Sequence, residues 1–327
     1  MNTTHDLCKI ALSIACLALG VVSLSAGYPA TTLASDLRLP PQTICATPPI
    51  TSPIYADVHE QIAQTSRGPM AYYRFGRGSP VLLVTGFRAT LSEWNAQFLS
   101  QLAKRNEVAV FDNRGVGRSI PDASGFSVRD MANDTASLIQ ALKLRRPTVV
   151  GWSMGGVVVQ QLAIDDPASV GQMVLLSTLA PGKSGIPIRP RIEAVLSGAP
   201  SVTFDQVMSV LFPPASLFTA KRCFRQEMYE PRDYGSPVIS NAVTNGQSAL
   251  LKAWSHDESA AKAAPAVRLR TLILSGSDDD VVSVRNSAAL RNLLPNARLV
   301  TIGRAGHAMM YQYPVVLAQK ISAFAKP

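Results

Sequence analysis

The stretch Thr148-Val149-Val150-Gly151-Trp152-Ser153-Met154-Gly155-Gly156-Val157-Val158-Val159-Gln160-Gln161-Leu162 changes character at its middle. The β-branched residues before Gly151 favour an extended strand. The residues from Met154 onward continue as a helix to Asp165. Glycines two before and two after Ser153 let the chain turn sharply from one element to the other, where side chains would collide and backbone angles are strained. A serine held on such a turn is exposed to react. Its hydroxyl is a weak nucleophile at neutral pH, so it needs a base within hydrogen-bond reach and donors for the oxyanion that forms.

Outward from this turn, short runs rich in Val, Ile and Leu recur: Val81 to Thr85, Val108 to Phe111, Thr148 to Trp152, Met173 to Leu176, Thr271 to Leu274 and Leu299 to Ile302. Continuous apolar runs of this length suit strands buried on both faces of a parallel sheet. Helical stretches separate them: Ser92 to Arg105, Ser127 to Leu144, Met154 to Asp165, Ser283 to Leu294 and Val315 to Ala325. In the second, Val128, Met131, Thr135, Leu138, Ile139 and Leu142 fall at three- and four-residue spacing, with Ser127 and Asp130 placed as an acidic capping box. The alternation implies an α/β fold with a doubly wound, mostly parallel sheet. It breaks between Ala180 and Pro265, where eight prolines punctuate short helical segments. Residues 66–180 and 265–327 therefore read as the core, and residues 181–264 as a helical cap or lid inserted into it. Leu211, Phe212, Leu217, Phe218, Met228, Tyr229 and Trp254 supply either an apolar pocket or the cap's own core.

Candidates for the base are few, because the chain has four histidines. His5 lies in the leader, His59 in a Pro-rich lead-in and His256 at the end of the insertion. His307, in Gly306-His307-Ala308, follows the last strand and precedes the final helix. An acid that orients it is expected after the strand ending at Leu274, where Asp278, Asp279 and Asp280 are consecutive. Only one of the three can face His307, and its neighbours' charges raise its pKa unless they point to water. The backbone N–H of Met154, the residue after the nucleophile, is one expected oxyanion donor. Phe87, in the loop after Val81 to Thr85, is the expected second, with Gly86 permitting close approach of the backbone.

The N-terminus is a separate problem. Residues 1–27 carry Lys9 and then a nearly unbroken apolar run from Ile10 to Ala26, the layout of a signal peptide cleaved after Gly27. The run also approaches the minimum for a membrane span, so an uncleaved anchor is the alternative, and only that would bring membrane contact. Export, periplasmic or secreted, is the expected localisation. Residues 28–65 form a Pro-rich extension. Cleavage leaves Cys45 and Cys223, which an oxidising compartment permits to pair. The 327-residue chain carries a formal net charge of +9. From Lys262 to Lys326 nine Lys or Arg face three Asp, but they fall singly and without interleaved aromatics, so no nucleic-acid partner is expected. No Cys/His cluster has metal-ligand spacing, and no cofactor is called for. Nothing in the sequence fixes an oligomeric state.

Thr85-Gly86-Phe87, Asp112 to Ser119, Gly151 to Gly156, Gly276-Ser277-Asp278-Asp279-Asp280-Val281-Val282 and Gly306-His307 together resemble the α/β-hydrolase superfamily. The resemblance runs from about Ser66 to the C-terminus with a gap over the insertion. It is strongest to lid-bearing esterases and cofactor-free haloperoxidase-type perhydrolases. It implies a Ser-His-Asp triad of Ser153, His307 and an acid three residues after Gly276, namely Asp279. It implies a small-molecule acyl substrate: a carboxylic ester cleaved through an acyl-serine, or the same triad used for perhydrolysis, acyl transfer, or amide or lactone cleavage. A non-catalytic binding homologue is the rival from another class. The oxyanion loop departs from the family's usual His-Gly by having Thr85-Gly86, so its hydrogen bonding must differ. A serine nucleophile in place of aspartate argues against epoxide-hydrolase and dehalogenase chemistry.

Overall fold

In the computed structural model, which describes residues 58–121 and 125–326 together with Leu39, Gln42, Ile44 and Cys45, an antiparallel hairpin opens the sheet. It consists of β1 (Gln61–Thr65) and β2 (Gly68–Gly76). Neither strand has the run rich in Val, Ile and Leu that marks the others. β2, Gly-Pro-Met-Ala-Tyr-Tyr-Arg-Phe-Gly, pairs antiparallel with β4. The leader expectation falls on residues 1–27, outside the described residues.

The remaining strands follow the sequence pattern to within two residues at each end. They are β3 (Ser79–Val84), β4 (Asn106–Phe111), β5 (Thr148–Trp152), β6 (Gln172–Leu176), β7 (Thr271–Gly276) and β8 (Ala297–Ile302). The eight strands lie in the order β1-β2-β4-β3-β5-β6-β7-β8, and from β4 to β8 every neighbour is parallel. β5 and β6 are buried at every position, as expected of central parallel strands covered on both faces.

Helices α1 (Ala96–Ala103), α2 (Val128–Ala141) and α3 (Met154–Asp165) follow β3, β4 and β5 in turn. The capping box expected for α2 is present: the Ser127 side chain accepts from Asp130 N, and Asp130 returns the bond to the Ser127 backbone. The stretch Ser92 to Arg105 divides, because Asn95 takes an extended conformation and caps α1 through Phe98 N.

Between β6 and β7 the described residues contain no strand. They hold α4 (Pro190–Leu196), α5 (Phe204–Leu211), α6 (Pro214–Cys223), α7 (Asn241–Trp254) and α8 (Glu258–Ala263). Leu211, Phe212, Tyr229 and Trp254 are buried in the common core, whereas Phe218 is 73% exposed. α9 (Val284–Leu293), α10 (Met309–Gln312) and α11 (Pro314–Phe324) complete the chain. Among the described residues no helix is long and apolar enough to cross a membrane.

Cys45 and Cys223 form a disulfide with a Cα–Cα distance of 5.4 Å across 178 residues of sequence. It joins the N-terminal extension to α6. Around it, Cys45 N donates to Glu227 Oε1 at 2.8 Å, and Asn95 Nδ2 donates to Glu227 Oε2 at 3.2 Å. A crosslink closing so long a loop restricts the unfolded chain strongly, by about 5 kcal/mol in the chain-entropy account. The Cys45→Ser/Cys223→Ser double variant is expected to lose ~2–5 kcal/mol of stability, read as a lowered melting temperature. Peptide mapping without reductant is expected to recover the two cysteines as one linked pair, and free thiols at both positions would contradict the crosslink.

Candidate active site

Ser153 sits at the junction of β5 and α3 with φ 55° and ψ −119°, outside the regions a non-glycine residue ordinarily occupies. The surroundings hold it there. Ser153 N donates to Leu176 O at 2.9 Å, while its carbonyl accepts from Gly156 N at 2.9 Å and Thr178 Oγ1 at 2.6 Å. A Cβ at Gly155 would lie 2.7 Å from Thr85 O, and one at Gly151 would lie 2.5 Å from Gly156 N, so neither position admits a larger residue. The two glycines let α3 rise directly off the strand, against β3.

His307 is 2% exposed and lies in the turn after β8. Its Nδ1 is 3.0 Å from Asp279 Oδ2 and 3.2 Å from Oδ1, and the Asp279 side chain is fully buried. Asp279 Oδ1 also accepts from the backbone N–H groups of Val281 at 2.9 Å and Val282 at 2.8 Å. A carboxylate with these donors is fixed in place and directs its remaining lone pairs at the imidazole. The indole of Trp152, next to Ser153, has its ring 5.6 Å from the imidazole and donates from Nε1 to His307 O at 3.1 Å. The histidine turn is thereby tied to the serine turn.

The three consecutive aspartates part company. Asp278 is exposed and accepts from Ser277 Oγ at 2.8 Å. Asp280 points the other way, to Arg189 and to Arg191 Nη2 at 3.1 Å, both at the start of α4. Asp279 alone faces His307. The clustered charge that made the sequence ambiguous is dispersed to water and to two guanidinium groups.

Gly86 and Phe87 lie beside the serine: a Cβ at Gly86 would be 3.4 Å from Ser153 Cβ and 3.3 Å from the Trp152 ring. Met154 is the first residue of α3, so its N–H has no acceptor within the helix. Thr85 is held from the neighbouring turn. Asn113 Nδ2 donates to Thr85 Oγ1 at 2.9 Å. The rest of the Asp112 to Ser119 turn is structural. Arg114 pairs through two nitrogens with Asp134 at 2.6 and 2.8 Å, and Ser119 Oγ accepts from Ala71 N at 2.9 Å.

A cavity of about 300 Å³ opens beside Phe87 and is walled by Leu179, Ile188, Leu196 and Leu251, with Glu193, Lys252 and His256 also lining it. These are not the apolar insertion residues singled out from sequence, most of which pack into the core. Other supporting residues carry no sequence signal. Gln312 accepts from Gly306 N at 2.7 Å and donates to Arg304 O at 3.0 Å, bracing the His307 turn. Gln247, on α7, accepts from Arg88 N at 2.7 Å.

The fold and site together define an α/β-hydrolase, and comparison with known proteins agrees. The family model for the alpha/beta hydrolase fold matches residues 79–314, and the chain belongs to that family. It is 27% identical over 282 residues to a non-heme chloroperoxidase of Streptomyces lividans, covering 80% of this chain and 98% of that one. A non-heme haloperoxidase of Rhodococcus erythropolis is 27% identical over 257 residues, covering 75% and 91%. An alpha/beta hydrolase fold protein from Chitinophaga pinensis superposes with a TM-score of 0.70 at 21% identity, covering 83% of this chain and 98% of that one.

Behind the loop that follows β3 sit two carboxyl groups. Asp112 accepts from Leu91 N at 2.8 Å and from Tyr234 Oη at 3.0 Å, and burial raises its pKa to about 6. Glu93 caps Thr90 through N and Oγ1, both at 2.6 Å, and burial raises its pKa from 4.5 to about 7 against those donors. The folded state therefore holds a proton on Glu93 that the unfolded chain has released between about pH 4.5 and 7. Stability falls as pH rises through that window and does not recover above it. Glu93→Gln keeps the acceptor for Thr90 and removes the titration. Its melting temperature relative to wild type is expected to rise between pH 5 and pH 8, and a pH-independent difference would contradict the assignment.

Proposed function

We propose that the chain is a serine hydrolase that cleaves a carboxylic ester through an acyl intermediate on Ser153. The observation that carries this reading is a histidine whose Nδ1 lies 3.0 Å from a fully buried carboxylate, in a turn tied through Trp152 to the strained Ser153. Structural histidines seldom need such an orienter, whereas a base must present one tautomer. Asp279 accepts a hydrogen bond from Nδ1–H, which leaves Nε2 as the lone-pair nitrogen.

In the first half-reaction Ser153 Oγ attacks the ester carbonyl carbon while His307 Nε2 takes its proton. The C=O π pair moves to oxygen, and the oxyanion accepts hydrogen bonds from the N–H groups of Met154 and Phe87. The intermediate collapses, the C–O bond to the alcohol breaks, and His307 returns the proton to the departing alkoxide. Water, deprotonated by the same nitrogen, then attacks the acyl carbon; the bond to Ser153 Oγ breaks, His307 returns the proton to Oγ, and the acid is released. Asp279 stays ionised and stabilises the imidazolium in both halves. Peroxide or an alcohol in place of that water gives perhydrolysis or acyl transfer with the same residues. The likeness to non-heme haloperoxidases supports peroxide as an alternative acyl acceptor. An amide or lactone would pass through the same steps.

The helical insertion between β6 and β7 acts as the lid in this reading, and the cavity beside Phe87 receives a small acyl substrate. Export to the periplasm or beyond is supported by the Cys45–Cys223 disulfide, since such bonds persist in oxidising compartments.

A fluorophosphonate probe is expected to label Ser153 in folded protein, and Ser153→Ala to abolish both labelling and turnover of short p-nitrophenyl esters. Folded wild type that resists the probe would overturn the proposal. The three aspartates supply a sharper comparison. Asp279→Asn is expected to cost on the order of 10⁴-fold in kcat by presenting the wrong tautomer, while Asp278→Asn stays within a few-fold of wild type. Equal losses in the two variants would contradict the assigned roles.

A further inference from the structure

We infer that Gln247 of the helical insertion is a positioning residue for the oxyanion loop, so that the insertion sets the catalytic rate of Ser153 chemistry from outside the core. This inference rests on the serine hydrolase reading above. Residues 85–90 are fastened to the core at both ends. Asn113 holds Thr85 Oγ1 at 2.9 Å, and Glu93 holds Thr90 N and Oγ1 at 2.6 Å. Between these ends the loop departs from ordinary backbone geometry: Arg88 has φ 51°, in the left-handed region. Its N–H is bound by Gln247 Oε1 at 2.7 Å, reaching across 159 residues of sequence from α7.

That bond acts on the peptide unit joining Phe87 to Arg88. It constrains ψ of Phe87 and φ of Arg88, and hence the direction of the Phe87 N–H one peptide earlier. Without it a side-chain-bearing residue at positive φ relaxes toward the common regions, carrying Phe87 with it. Gln247 is completely buried, and its Nε2 is also buried with no hydrogen-bond partner among the described residues. An amide so placed leaves a donor unsatisfied, which a Leu or Met of similar size would not. Packing alone therefore favours an apolar residue here, and the one bond the amide does make falls on the loop beside the nucleophile.

The test uses the full chain with Gln247→Met, which keeps bulk, and Gln247→Asn, which keeps the amide one methylene too short to reach. Both remove the bond to Arg88 and differ in shape, so either folded variant suffices. For p-nitrophenyl butyrate, kcat is expected to fall about tenfold or more, with KM changed by less than about threefold, because a displaced donor acts on the transition state. Affinity for a short alkylboronic acid, whose adduct with Ser153 places an oxygen toward the same donors, is expected to fall in parallel. A merely structural role lowers the melting temperature and leaves kcat of the folded fraction at the wild-type value. That result, or a loss confined to KM, overturns the inference while the hydrolase reading stands. Wild type that neither turns over the ester nor binds the boronic acid removes both.

Discussion

The backbone at Ser153 cannot relax, and the site is built on that constraint. A non-glycine residue at φ 55° and ψ −119° costs of order 1–3 kcal/mol. It persists because both of its peptide neighbours are bound from outside the turn. Leu176 O receives its N–H and Thr178 Oγ1 holds its carbonyl. Each of these partners comes from the end of β6, the strand paired in parallel with β5. Close packing of Gly155 under β3 removes the remaining freedom. The sheet thus presents the serine, and its parallel centre is what gives the turn its rigidity.

Everything else in the site reaches toward that turn from separate stretches of chain. The His307 turn comes from beyond β8, is braced by Gln312, and is tied to the serine through Trp152. The Asp279 turn leaves β7 and points its carboxylate inward because two backbone N–H groups cradle it. The loop carrying Phe87 leaves β3 and is fastened to the core by Asn113 and to the insertion by Gln247. Asp280 adds a further link, since its partners Arg189 and Arg191 open α4. The insertion is consequently connected to both the Asp279 turn and the Phe87 loop, and the disulfide at Cys223 anchors it to the N-terminal extension.

Much of this was legible in the chain. Central strands declare themselves by unbroken Val, Ile and Leu runs, and the Gly151 to Gly155 motif by its flanking strand and helix. The capping box at Ser127 and Asp130 was readable because its spacing is local. β1 and β2 were not, since β1 is mostly polar and β2 has no run of Val, Ile or Leu. The choice of Asp279 came from likeness to a family. Its physical reason lies partly in Asp280, whose partners Arg189 and Arg191 are 91 and 89 residues away in sequence. Gln247 carries no sequence signal for the same reason: a buried amide that bonds a backbone 159 residues away leaves no pattern in its own neighbourhood.

The charge of the chain has little part in this account. The cavity beside Phe87 mixes apolar walls with Glu193, Lys252 and His256, and the carboxylate that faces His307 is buried. The central claim, that Ser153 carries the acyl group during turnover, is tested most directly by trapping that intermediate. Protein mixed with a p-nitrophenyl ester, quenched in acid within the first turnovers and digested, is expected to show one acyl mass increment on the peptide containing Ser153. An increment on another residue, or steady turnover with none above background in rapid-quench samples, would contradict it.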